Sequence, residues 1–225
     1  TLFHLIVAAI LKTIILRPKL NRFVANKNNY QRNSYSASFV VKKQFNDTSE
    51  EGLAFIYATE GSTLDSLHED LFKQISREKK CGAGNATSNT MDILNKLPHW
   101  FVKFFIWLMR QLDRHGIVPK AIIEADPYYA SVILSNLGSI KLRSGYHHLT
   151  NWGTTSLFVV VGEMKERIFR NENGEDEYRN SVDLGLTIDE RLADGYYYSK
   201  SVRLLKYILE HPECLERPFS EPVDY

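Results

Sequence analysis

The chain opens on an almost unbroken apolar run, "FHLIVAAILKTIIL" at residues 3–16, interrupted only by His4, Lys12 and Thr13. It is short of the roughly 20 residues needed to cross a bilayer and reads as a buried helix. Arg17-Pro18 ends it, because proline cannot continue a helix and pushes the residue before it towards extended geometry. The period then drops to two. "RFVANKNNYQ" reads as a short strand, a polar turn at 26–29 and a return, and "SASFVVKKQF" sets Ala37, Phe39 and Val41 on one face. "STLDSLHEDLFKQISREKK" returns to helical spacing, with Ser62 as its cap and Leu64, Leu67, Leu71 and Ile75 in one stripe.

"CGAGNATSNT" at 81–90 is a loop whose glycines fit neither a dinucleotide nor a P-loop pattern. After it comes the aromatic helix "WFVKFFIWLM" at 100–109, ending near His115-Gly116. It is too short to span a membrane. It is either a core helix, the simpler placement, or an exposed apolar face that meets a partner. "SVILSNLGSI" and "TSLFVVVGEM" are two apolar, β-branched strands joined by a polar connection containing "GYHHLTNWG". A hairpin around Asn173-Gly174 leads into the alternation Val182, Leu184, Leu186, Ile188, and a last helix covers about 197–210. Helices at the front, middle and end with strands between predict an α/β, two-layer sandwich, a mixed sheet covered by helices. We expect one domain over residues 1–225.

Composition narrows the classes rather than choosing among them. Lys plus Arg number 28 against 27 for Asp plus Glu, so no global charge points to nucleic acid or an anionic membrane surface. The 2 cysteines, Cys81 and Cys214, lack metal-ligand spacing and a disulfide framework. The expectation is a reduced cytoplasmic protein without a metal.

The order of local motifs is more specific. "RPKLNRFV" at 17–24, "ILSNLGSI" at 133–140, and "DERLADG" at 189–195 followed by a helix ending in "LEHPE" stand in one collinear series. This series resembles the acyltransferase catalytic domain of the 2-oxo acid dehydrogenase complexes (dihydrolipoamide acyltransferase), whose structural cousin is chloramphenicol acetyltransferase. The resemblance covers about residues 3–215. "DERLADG" resembles the family's Asp-His-Arg-x-x-Asp-Gly signature. The family's Gly-Leu-Val-x-Pro-Val strand is met only in part, by "GLAFIYA" at 52–58, and the segment 81–129 is longer than the family's. The strand and helix that open the family's domain precede residue 1, so the resemblance implies that its N-terminal part is missing here. The lipoyl and subunit-binding domains have no counterpart within these residues.

The resemblance implies a reaction and a set of roles. Acyl groups pass between coenzyme A, as acyl-CoA substrate, and a thiol or hydroxyl acceptor. A serine hydroxyl, Ser135 here, holds the tetrahedral oxyanion. Asp194 fixes the signature loop, Gly195 permits a tight approach, and Arg191 matches the arginine beside the family's base. The site would lie between protomers of a homotrimer.

The base itself departs from the pattern, because Glu190 stands where the family has histidine. An ordinary carboxylate lies about 4 pH units below a thiol, about 5–6 kcal/mol uphill for proton transfer, against about 3 for an imidazole. Glu190 is therefore a desolvated base of altered tuning, or the chemistry has been lost and a trimeric scaffold or regulatory binding protein remains. His147-His148 is the other place a base could come from. Neighbours on an extended segment are expected to face opposite sides, which argues against a shared metal.

Overall fold

The computed structural model describes residues 1–42, 51–80 and 97–225. The loop read at 81–90, with Cys81, lies outside them. Helix α1 (Leu2–Leu16) buries every residue from Ile6 to Ile15. Lys12 is among them, and its ammonium donates to the carbonyls of Cys214 at 2.8 Å and Pro218 at 3.0 Å. These bonds satisfy a charge that burial would otherwise penalise, and they tie the C-terminal segment over the helix. Strands β1 (Arg22–Ala25) and β2 (Asn28–Gln31) form a separate hairpin whose turn residues, Asn26 and Lys27, both take positive φ.

The main sheet has five strands in the order β4-β3-β5-β6-β7. They are β3 (Tyr35–Lys42), β4 (Glu51–Ala58), β5 (Val132–Asn136), β6 (Leu157–Arg170) and β7 (Asp176–Ile188). β5 lies parallel to both β3 and β6, while the outer pairs β3–β4 and β6–β7 are antiparallel. The sheet is therefore mixed, as predicted.

One face of the sheet carries the main core. Ala37, Phe39, Val41, Val132, Leu134, Leu157 and Val159 pack there against α1, α2 (Leu64–Lys80) and α5 (Gly195–Glu210). The predicted stripe of α2 is turned inward, with Leu67 and Leu71 buried and Leu64 and Ile75 packed beside them. Its cap is Thr63 and not Ser62. The Thr63 Oγ1 accepts from the Ser66 amide while the Ser66 Oγ accepts from the Thr63 amide, a reciprocal box. The Ser62 Oγ instead accepts from the Thr59 amide at 2.9 Å, one turn too early to begin the helix.

The aromatic helix, α3 (His99–Arg114), differs from the core placement. Among its residues only Met109 is buried, and Trp100 is 70% exposed. Short α4 (Lys120–Ala125) follows it. Beyond an irregularity between Val161 and Met164, β6 and β7 run on as a two-stranded ribbon. The cross-strand pair Ile168 and Tyr178 on this ribbon is left exposed.

Candidate functional site

Residues alternate between the faces of a strand, so the register of β5, β6 and β7 settles what shares a surface with Ser135. Leu134 and Val159 point into the helix-covered core, so Ile133, Ser135, Phe158 and Val160 point to the opposite face. Ser135 stands beside Val160, and Val160 beside Gly185 on β7. Ile133, Phe158 and Val160 form a small second core there with Tyr128, Leu137 and Leu149. Ser135 is half-buried at the C-terminal end of β5, and its Oγ bonds to no other described group.

Over Phe158, Gly162 and Gly185 this face is covered by the connection 141–155. Its start is held by the Glu163 amide, which donates to the Leu142 carbonyl at 2.9 Å. Its end is held by the amides of Thr154 and Thr155, both donating to the Tyr128 carbonyl at 2.8 Å. Arg32 donates to the carbonyl of Tyr129 at 2.8 Å and to both oxygens of Thr154, and burial pushes its guanidinium down to about 10. The Trp152 Nε1 donates to Asp126 at 2.6 Å. Between these anchors the backbone lies directly on the sheet. A Cβ added at Gly162 would stand 2.5 Å from the Ser144 nitrogen, and one at Gly185 would overlap the Gly145 carbonyl oxygen. A glycine inside an apolar strand run is the sequence signal of such an approach.

The same connection carries His147 and His148. The expectation that they face opposite sides is wrong. Their rings lie parallel, 5.0 Å apart, and His147 in turn lies flat on Phe158 at 4.2 Å. The connection is irregular, so the alternation of a strand does not apply to it, and the flat Phe158 ring supplies a platform. Among the described residues no group of three or more His, Cys, Asp or Glu side chains could hold a metal.

The signature residues stand at the other end of the sheet. Asp194 caps α5, its Oδ1 accepting from the Tyr197 amide at 2.8 Å. Asp194→Ala should lower stability by ~1 kcal/mol, a fall of roughly 2–4 °C in thermal midpoint. Gly195 meets no atom within 4 Å, so no tight approach within the chain explains it. Arg191 does not turn to Glu190. It chelates Asp189 through Nε and Nη2, and that hydrogen bonding holds the Asp189 carboxyl below its ordinary range. The Tyr198 hydroxyl donates to the Asp189 carbonyl at 2.5 Å, and burial pushes the phenol up to about 12. Glu190 itself is exposed in the turn, with no ion-pair partner among the described residues.

Ser135 and Glu190 are not neighbours within one chain. Ile188, the last residue of β7, pairs with Leu157, three positions along β6 from Val160, the partner of Ser135. Three residues of strand and two strand spacings put roughly 14 Å between Ile188 and Ser135, with Glu190 beyond.

By sequence the chain matches no family model and no curated protein. By structure it matches a probable dihydrolipoamide acetyltransferase from Listeria monocytogenes, with TM-score 0.62 and 14% identity over 94% of this chain and 70% of that one. The chain has the acyltransferase fold. A second match is the cubic core of the pyruvate dehydrogenase multienzyme complex, with TM-score 0.60 and 12% identity over 96% and 70%. A third is a truncated catalytic core of the 2-oxoacid dehydrogenase multienzyme complex from Thermoplasma acidophilum, with TM-score 0.53 and 15% identity over 94% and 75%. No helix among the described residues is long and apolar enough to cross a membrane.

Proposed function

We propose that the protein transfers acyl groups between a coenzyme A thioester and a thiol or hydroxyl acceptor, and that it works as a homotrimer. The observation that carries this reading is Ser135, half-exposed at the end of the central strand of an acyltransferase fold, on the face turned away from α1, α2 and α5. A hydroxyl there can donate to the oxyanion of a tetrahedral intermediate.

The base that the resemblance supplies is Glu190. The separation within the chain means that it serves Ser135 only across a contact between two copies. The exposed ribbon, with Ile168 and Tyr178 unburied, offers apolar surface for such a contact. In this reading the exposure of Glu190 belongs to the isolated protomer.

Two measurements test the proposal. Calorimetry at millimolar coenzyme A should show binding, with turnover of acetyl-CoA in the presence of a dithiol acceptor. If Glu190 of a second copy is the base, co-expressed Ser135→Ala and Glu190→Gln chains regain activity that neither has alone. About a quarter of wild-type turnover is expected, the share of cyclic interfaces carrying both intact residues. Absence of coenzyme A binding sinks the transferase reading, while binding without complementation sinks the shared base.

A second reading has its own observation. Phe104, Trp107 and Trp100 lie exposed along one stripe of α3, more apolar surface than a free helix face normally leaves. A non-catalytic scaffold or regulatory protein would use that stripe as its contact. Trp100→Ser with Trp107→Ser should then dissociate the assembly in sedimentation, in a protein that fails to bind coenzyme A.

A further inference from the structure

We infer that the proton of the attacking thiol is taken by His147 of the chain that carries Ser135, a base no position in the acyltransferase signature supplies. The inference rests on the acyl-transfer reading and puts His147 in the place that the resemblance gives to Glu190.

Three observations lead there. The first is the face. His147 lies flat on Phe158, ring centroids 4.2 Å apart and planes 8° from parallel. Phe158 pairs with Ile133, two residues before Ser135, so the histidine stands above the same surface as the Ser135 hydroxyl. The strand positions of Phe158 and Ser135, one strand across and two residues along, are about 8 Å apart, and the imidazole lies over the first of them. A carbonyl bound between the two groups would have its nucleophile on the histidine side and its oxygen on the serine side.

The second is the tautomer. The His147 Nδ1 lies 2.8 Å from the His148 carbonyl oxygen. A carbonyl can only accept, so Nδ1 carries a proton, and in the neutral ring the lone pair is then on Nε2. A neutral imidazole fixed in this way is already in the form a general base needs. An ordinary imidazole also lies about 2 pH units below a thiol, where an ordinary carboxylate lies about 4 below.

The third is the support. The ring is sandwiched between Phe158 and His148, and the connection that bears it is clamped at both ends and pressed onto Gly162 and Gly185. His147 remains exposed, so a substrate can reach it.

The step balances within the thioester and the thiol. Nε2 takes the S–H proton as the sulfur pair forms the new C–S bond, and the carbonyl π pair moves to oxygen under the Ser135 hydroxyl. Collapse re-forms the carbonyl and breaks the old C–S bond. The departing thiolate then takes the proton back from the imidazolium.

The test uses the full chain with acetyl-CoA and a dithiol. His147→Phe keeps the flat stack on Phe158 and removes the lone pair, and His147→Gln removes the ring. Both should lower turnover by about 10²–10⁴-fold with coenzyme A binding and thermal midpoint retained. That loss should exceed the loss in Glu190→Gln at least tenfold, roughly one order on the same scale. His115→Gln, in the turn after α3, should turn over as the wild type does. Co-expressed Ser135→Ala and His147→Gln chains should stay inactive, because each site then carries one defect.

Wild-type turnover in both His147 variants overturns the inference and leaves the acyl-transfer reading intact. Recovery on mixing overturns the placement of both groups in one chain. A wild-type protein that binds coenzyme A but transfers nothing overturns the acyl-transfer reading and the base with it. One that does not bind coenzyme A removes the acyl-transfer reading and His147 with it.

Discussion

Ser135→Ala should cut the turnover of acyl transfer by about 10²–10³-fold, or roughly 3–4 kcal/mol of transition-state stabilisation. The expected size follows from when the hydrogen bond forms. A thioester carbonyl in the ground state is a weak acceptor, and the oxygen becomes fully charged only as the nucleophile adds. The hydroxyl therefore contributes mostly to the transition state. The loss should fall on kcat with KM nearly unchanged. The fold should not notice the change. Ser135 is half-buried, its Oγ bonds to no other described group, and alanine fits the strand between Leu134 and Asn136. Unaltered kcat in a folded Ser135→Ala protein would remove the oxyanion role. An equal loss of kcat and thermal stability would mean that the serine is structural.

The legible parts of the chain are those where burial on one side imposes a period. Ala37, Phe39 and Val41 alternate because one face of β3 packs on α1 and the other does not. The stripe of α2 and the apolar run of α1 follow from the same demand at helical spacing, so the layers and the mixed sheet could be expected from the residues. The α3 helix carries a strong amphipathic pattern as well, yet its apolar stripe faces outward. Periodicity says that a face must be covered and is silent about what covers it.

The signature residues show the complementary limit. Asp194, expected from the resemblance to fix the signature loop, is the cap of α5, a role that its place just before a helix makes available to local chemistry. The role of Glu190 depends on a surface outside the chain, which no local pattern encodes. The stack of His147 on Phe158 escaped because ten residues separate the two in sequence and the connection has no period. The available signal was indirect. Gly162 and Gly185 interrupt apolar strands at positions where only an approaching backbone would require it, and that backbone is the histidine-bearing connection.

Gly185→Ala should show how strictly the site depends on that approach. The added methyl would overlap the Gly145 carbonyl oxygen and crowd the Ser144 hydroxyl at 3.1 Å. Neither side can yield cheaply, because both are main chain. One belongs to a paired strand and the other to a connection anchored at Leu142 and Thr154. The strain should cost about 1–3 kcal/mol, lowering the thermal midpoint by roughly 2–12 °C. The larger effect should be on chemistry. With the backbone lifted at Gly145, His147 two residues on loses its seat on Phe158, and turnover should fall as in the His147 variants. Hydrogen exchange at the Thr154 and Thr155 amides, both bonded to the Tyr128 carbonyl, would report whether the far anchor holds while the middle lifts. Gly61→Ala is the matched control, since a Cβ there meets nothing within 4 Å, and it should leave both stability and turnover as they were. A Gly185→Ala protein as stable and as active as that control would show that the connection does not rest on the sheet.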